Sequence, residues 1–171
     1  MKMKTNIAKV IRRTILCLCL LHPLHIMAQQ YERTVEQALS AFNAKEYDKA
    51  VSLFRQALKE SPSDIRNALV YSNIAHINKM RGDKMQALDN YSTALGIAPQ
   101  NIPILKSRAD LYMELGNINK ALLDYSTIID YDPNNADALL ARAYIYQQRR
   151  DYYNAKRDYE ALLTSDPHNY A

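Results

Sequence analysis

Few side chains in this sequence have the chemistry to bind a metal ion or to attack a substrate. The chain has four histidines and two cysteines. Both cysteines, Cys17 and Cys19, lie in the N-terminal segment 1–28, and beyond it only His76 and His168 remain. They are far apart in the sequence, so the usual His/Cys spacing of a metal site is missing. No serine–histidine–acid motif or glycine-rich phosphate loop is present either. We therefore predict no catalytic, metal or cofactor site, and no enzyme.

The N-terminal segment 1–28 has the composition of a secretory signal peptide. Five basic residues precede a short apolar run, residues 15–21, and the segment contains no acidic residue. Ala28 is a small residue at a plausible cleavage point. The alternative is a membrane anchor, but the run is shorter than the ~20 apolar residues that cross a bilayer. We expect export to the periplasm or the extracellular space, cleavage near Ala28 and no stable membrane insertion afterwards. The mature chain would then contain no cysteine and no disulfide.

The net charge of the chain comes from this leader. The sequence carries 22 Lys and Arg against 18 Asp and Glu, a net charge of +4. Without the leader, 17 basic residues stand against 18 acidic ones. A protein that binds nucleic acid needs a basic surface in its mature form. We therefore expect no nucleic-acid partner.

A set of residue types recurs at a nearly constant interval along the rest of the chain. An alanine is followed four residues later by an aromatic residue, and a proline comes eight residues after that aromatic residue. The alanines are Ala50, Ala87, Ala121 and Ala155, the aromatic residues are Phe54, Tyr91, Tyr125 and Tyr159, and the prolines are Pro62, Pro99, Pro133 and Pro167. Apolar residues between them recur at three- and four-residue spacing, which is typical of helices.

This pattern resembles the tetratricopeptide repeat (TPR), a 34-residue helix–turn–helix unit. The resemblance implies an all-α fold, an α-solenoid of stacked repeats, over residues 31–169. The units would be 31–64, 68–101, 102–135 and 136–169. Small residues would let the two helices of a unit approach closely: Ala38, Ala75, Ala109 and Ala143 face the four alanines named above. Gly82 and Gly116 suit the turn between helices, where a left-handed backbone is common.

The sequence departs from the family pattern at several positions. The seventh position of a unit is usually a large apolar residue, but here Arg108 and Arg142 stand there in the last two units. Lys45 and Arg150 replace the turn glycine in the first and fourth units. Three extra residues, 65–67, separate the first two units, and we expect them to lengthen the next helix by about a turn.

In this family, partners usually lie in a concave groove formed by the first helix of each unit. The resemblance places protein or peptide binding there, and one subtype holds a terminal carboxylate with a lysine, asparagine and arginine clamp. Only Asn73 matches that clamp, so we reject this mode. The groove positions carried over residue by residue are Val35, Leu39, Ser72, His76, Lys79, Lys106, Asp110, Met113, Leu140, Tyr144 and Gln147.

The last unit leaves a second function open. Such arrays usually end in an extra helix, but this sequence stops soon after the fourth unit, and we expect Tyr159, Leu162 and Leu163 to leave apolar surface there. We assign Tyr146 and Tyr152 to the core. The sequence thus predicts an exported, non-enzymatic scaffold that binds a segment of a cell-envelope protein in its groove. The alternative is a structural module that self-associates through its last repeat, or the front part of a longer array.

Overall fold

The computed structural model describes residues 28–165, and these residues form helices joined by short turns. The helices are α1 over residues 28–43, α2 (Tyr47–Glu60), α3 (Asn67–Met80), α4 (Lys84–Ile97), α5 (Ile102–Glu114), α6 (Ile118–Tyr131), α7 (Ala136–Gln148) and α8 (Tyr152–Ser165). The predicted all-α fold is confirmed. Apart from Ala28, the predicted leader lies outside the described residues, as does His168.

The chain divides into two compact units between Asp64 and Ile65. In the first, α1 and α2 enclose Tyr31 and Phe54, and the facing alanines Ala38 and Ala50 are fully buried. Thr34, where a bulky residue is usual, is buried, and its hydroxyl has two acceptors within reach for its single proton: the Gln30 carbonyl at 3.0 Å and Glu60 Oε1 at 3.1 Å.

In the second unit, six helices form three hairpins, each packed on the next. The pairs α3–α4, α5–α6 and α7–α8 pack within hairpins, and α4–α5 and α6–α7 pack between them. The alanines predicted to face each other are buried in all three hairpins: Ala75 with Ala87, Ala109 with Ala121 and Ala143 with Ala155. Small side chains at these points let the helix axes approach closely.

The turns between the paired helices share one backbone geometry. Gly82 and Gly116 have φ of +86° and +72°, as the sequence predicts. Lys45 and Arg150, at the equivalent positions, adopt φ of +62° and +60°. A side chain makes this left-handed conformation unfavourable by about 1–2 kcal/mol, so the repeat packing imposes the turn even where glycine is missing.

Two ion pairs, absent from the sequence-based prediction, each join the two helices of one hairpin, and the carboxylate of each pair is buried. The Arg108 guanidinium donates to both oxygens of Asp124, at 2.9 and 2.8 Å. The Arg142 guanidinium binds Asp158 in the same way, at 2.7 and 2.8 Å. The remaining guanidinium nitrogen of each arginine donates to a serine of the preceding hairpin, Ser92 or Ser126. We call each serine–arginine–aspartate set a brace, because it joins three consecutive helices.

Three expectations from the sequence are wrong. The extra residues do not add a helical turn: α3 begins at Asn67 and is one residue longer than α5 and α7, because Ile65 and Arg66 form a turn whose carbonyls accept from Ala68 and Leu69. Tyr152 is 65% exposed because it is the first residue of α8 and no described element covers it. Leu162 is only 3% exposed because it shares the inner face of α8 with Ala155 and Asp158.

Candidate functional site

Five of the predicted groove residues meet in one pocket of the second unit. Helix α5 contributes Lys106, Asp110 and Met113, and helix α7 contributes Leu140 and Tyr144. Spacings of three, four and seven residues place side chains on the same face of a helix. The pocket has a volume of about 480 Å³, and its other lining residues are Tyr125, Asp137, Ala141 and Tyr159. We call it the α5–α7 pocket.

One lysine serves two carboxylates on the polar side of this pocket. Lys106 Nζ lies 3.1 Å from Asp110 Oδ2 and 3.7 Å from Asp137 Oδ2. The hydrogen bond to Asp110 is the main reason that the pKa of Lys106 is raised, and the two negative charges add to it. One ammonium group against two carboxylates leaves the lining with a net negative charge.

A tyrosine from the helix behind fixes the inner carboxylate. The buried Tyr125 hydroxyl donates to Asp110 Oδ1 at 2.6 Å. Burial, followed by this hydrogen bond and nearby carboxylates, raises the pKa of Tyr125 well above its ordinary range. The neighbouring Asp124 is held by Arg108, so the backbone that carries Tyr125 is itself anchored. Asp110 is thus preorganised before any ligand arrives.

The other side of the pocket is apolar and partly open to solvent. Tyr144 is 51% exposed, and Leu140 is exposed beside it. Tyr159 of α8 is half-buried, and its hydroxyl donates to Gln147 Oε1 at 2.9 Å. Gln147, the last predicted groove residue on α7, therefore lies next to the pocket rather than in its lining.

One of the predicted residues on α3, Lys79, belongs to a different cluster. Lys79 Nζ lies 2.6 Å from Glu114 Oε1, and Lys84 Nζ lies 3.2 Å from Glu114 Oε2. The pKa of Glu114 is lowered, mainly by its hydrogen bond with Lys79. Here two cations share one carboxylate, which is the reverse of the α5–α7 pocket. Ser72 is half-buried and His76 is exposed on the same helix.

The first unit has its own cavity, away from its predicted groove residues. Val35 is half-buried and Leu39 is exposed on α1, and neither lines this cavity of about 500 Å³. Its only charged lining residues, Glu46 and Lys49, pair with each other at 2.8 Å. It therefore offers a ligand neither an aromatic side chain nor an unmatched charge.

Three family models match the sequence. One described as "TPR repeat" matches residues 109–149, and two described as "Tetratricopeptide repeat" match residues 136–169 and 35–64. Together they cover more than half of the chain. The chain is a tetratricopeptide repeat protein. No curated protein is significantly similar to it.

Solved TPR structures have the same fold. A tetratricopeptide repeat protein from Parabacteroides merdae aligns with a TM-score of 0.78 and 30% identity over 83% of this chain. The match covers 56% of that protein, so the chain spans little more than half its length. MamA aligns at 0.69 with 16% identity, covering 80% of this chain and 78% of MamA. The first TPR of Spaghetti (RPAP3), bound to the HSP90 peptide SRMEEVD, aligns at 0.55 with 24% identity, covering 63% of this chain and 85% of that one. At 16% and 24% identity, the similarity of MamA and of the Spaghetti TPR to this chain shows a common fold and nothing more.

Sequence reasoning missed four residues of the TPR protein's pocket: Asp137 and Ala141 on α7, Tyr125 on α6 and Tyr159 on α8. Asp137 lies three residues before Leu140, so its place on the same helix face could have been deduced from spacing. Tyr125 and Tyr159 come from the second helices of their hairpins, and the sequence pattern assigns those helices to the core. Only the crossing of the helices brings these two side chains to the pocket.

Two further observations concern the described part of this TPR protein. No group of three or more metal-ligating side chains occurs within it. No helix over residues 28–165 has the length and apolar character that crossing a bilayer requires.

Proposed function

We propose that this TPR protein binds an extended or helical segment of another protein across α5 and α7. TPR repeats and TPR structural neighbours support a protein-interaction scaffold, and proteins of this family are generally non-enzymatic. The observation that carries the more specific proposal is the α5–α7 pocket itself. It combines exposed apolar side chains with charged ones whose positions are already fixed.

The pocket has the anatomy of an interaction hot spot. Leu140 and Tyr144 expose apolar surface that a partner would cover, and fully burying such a side chain contributes about 1.5–3 kcal/mol. Tyrosine is enriched at hot spots because it buries a large area and orders few torsions. Fixed polar groups around an apolar anchor provide register for a peptide segment.

Peptide display on the immobilised chain tests this proposal. A library of random 12-residue peptides is selected on the chain, and retained peptides are measured on Leu140→Ser/Tyr144→Ser. We expect this variant to lose at least tenfold in affinity, which corresponds to about 1.4 kcal/mol, because it removes two hot-spot contacts.

The control for this test removes the same kind of surface elsewhere in the second unit. Leu123 and Met85 are exposed on α6 and α4 and do not line the pocket. Leu123→Ser/Met85→Ser should bind the peptides like the parent. Equal losses in both variants, or no retained peptide at all, contradict binding at α5 and α7.

We also propose that the protein is exported and that its partner is a cell-envelope protein. The basic and apolar composition of residues 1–28 supports this. Expression in a two-membrane bacterium, followed by N-terminal sequencing of the periplasmic fraction, should find a mature chain that begins near Gln29. A chain that stays in the cytoplasm and keeps Met1 refutes export.

Self-association through α8 is the second candidate function. Tyr152, Tyr159 and Leu163 lie seven and four residues apart, so they form one stripe on this helix, and Tyr152 and Leu163 are exposed. Light scattering over a wide concentration range should then show mass growing with concentration. Tyr152→Ser/Leu163→Ser should abolish this growth, and a constant monomer mass in the parent refutes it.

A further inference from the structure

We infer that the α5–α7 pocket recognises a cationic side chain, a lysine or an arginine, of the bound segment. This inference rests on the proposed binding of a protein segment at this face. It concerns which residue type enters the pocket, a question that the family resemblance leaves open.

The lining of the pocket has an unmatched negative charge. Asp110 has a short contact to Lys106, whereas Asp137 lies 3.7 Å from the same ammonium group and its side chain is 72% exposed. The hydroxyl of Tyr125 donates to Asp110 without adding a positive charge. An incoming cation would therefore meet one carboxylate more than Lys106 can neutralise.

An apolar wall lies opposite the carboxylates. The lining combines Met113 and Leu140 with the rings of Tyr144 and Tyr159. Lysine and arginine have long aliphatic stems that pack on such surfaces while the charged end reaches polar groups. A cation near the face of an aromatic ring gains a further attraction. A glutamate would find the same wall but would face two carboxylates.

The excess negative charge is local to the pocket. At the cluster around Glu114 in the same unit, Lys79 and Lys84 outnumber the carboxylate. Glu114 therefore offers a matched control for Asp137. Asp137→Asn and Glu114→Gln each remove one exposed negative charge, but only the first removes it from the pocket.

Methyl NMR of the full chain tests the inference with two defined probes. Nα-acetyl-arginine methylamide carries the cation, and the citrulline equivalent has nearly the same shape without the charge. The chain is labelled at its methionine methyl groups, so Met113 reports on the pocket. Met80 and Met85, which are exposed on other surfaces, report on non-specific binding. We expect a saturable shift of the Met113 signal with the arginine probe and a much weaker response to citrulline.

The two charge variants then assign the effect. Asp137→Asn should weaken binding of the arginine probe about two- to fivefold, the range of an exposed ion pair, and Glu114→Gln should change it by less. Equal shifts with arginine and citrulline, no shift at all, or equal effects of the two variants overturn the inference.

Failure of the inference can be told apart from failure of the proposed function. If displayed peptides depend on Leu140 and Tyr144 but show no enrichment in lysine or arginine, the segment binds and only the cationic subsite is refuted. If no displayed peptide depends on those residues, the proposed function fails as well.

Discussion

Replacing Arg142 by methionine should strongly destabilise the last hairpin. The guanidinium makes two hydrogen bonds of 2.7 and 2.8 Å to Asp158, whose side chain is almost fully buried. Methionine preserves the apolar stem but removes the cation that binds both carboxylate oxygens, and leaves only the more exposed Arg157 guanidinium, 3.9 Å from Asp158 Oδ1. Breaking a buried ion pair by removing one partner costs about 3–5 kcal/mol, and we expect a loss in this range.

The equivalent brace provides a graded comparison. Arg108→Met breaks the pair with Asp124 in the same geometry, but the Arg108 side chain is 20% exposed and that of Arg142 is 11% exposed. Water can reach the stranded Asp124 more easily, so the loss should be smaller. The double variant Arg142→Met/Asp158→Leu removes both charges. It should recover most of the stability, because replacing a buried pair by apolar residues is often neutral or favourable.

Urea unfolding followed by circular dichroism gives these free energies, and a double-mutant cycle isolates the pairwise contribution. Repeat arrays can unfold in steps, so amide hydrogen exchange in α7 and α8 should show whether the loss is confined to the last hairpin. A loss below about 1 kcal/mol for Arg142→Met, or a double variant that costs the sum of the two single changes, would refute this account of the brace.

Three further predictions concern turns, tyrosines and packing, and urea or pH titrations check them. Lys45→Gly and Arg150→Gly should each stabilise the protein by about 0.5–1 kcal/mol. Glycine removes the steric penalty of positive φ in the folded state, and the greater flexibility of the unfolded chain offsets only part of this gain. Destabilisation would mean that the side chains matter more than the backbone. Burial raises the pKa of Tyr91 and Tyr125, so the unfolded chain loses these protons first. These two tyrosines should leave stability unchanged below about pH 10 and lower it as pH rises further. Absorbance at 295 nm should show two tyrosines ionising only as the helical circular dichroism signal is lost. Ala121→Leu should overpack the α5–α6 contact and cost about 1–3 kcal/mol; an unchanged midpoint would show that the joint has room.

The sequence predicted the helices and their joints well because close packing leaves few alternatives. Where two helices touch, only a small side chain fits, so Ala109 and Ala121 recur at a fixed place in each unit. The turn after the first helix needs a left-handed residue, and Gly116 marks it. Such positions can be recognised because steric constraints act on single residues.

The braces could not be predicted from residue types alone. In the sequence, Arg108 and Arg142 only mark the seventh position of a unit as polar where the family usually has an apolar residue. Their partners lie on the following helix, and pairing depends on how that second helix is rotated against the first. A signal was nevertheless present: arginine, aspartate and serine each recur at the same position of consecutive units, as Ser92 and Ser126 illustrate.

The candidate site was predictable on its first helices and not on its second ones. Lys106, Asp110 and Tyr144 were predicted from the family resemblance, which places binding on the first helix of each unit. Tyr125 and Tyr159 reach the pocket because their helices cross behind those two, and no local pattern encodes that crossing. The spacing also could not reveal that Lys106 serves two carboxylates, since this depends on the distance between neighbouring hairpins.

The α5–α6 hairpin has matching junctions on both sides. Its Arg108 donates a hydrogen bond to Ser92 of the preceding hairpin, and its Ser126 accepts one from Arg142 of the next hairpin. Asn101 and Asn135 directly precede α5 and α7. The side chain of each accepts a hydrogen bond from the backbone N–H three residues later and so caps the helix. A tandem copy of residues 102–135 would therefore bring its own brace and find its own cap. Gene duplication or protein design could therefore lengthen this protein by one hairpin at a time while the side chains between hairpins stay unchanged.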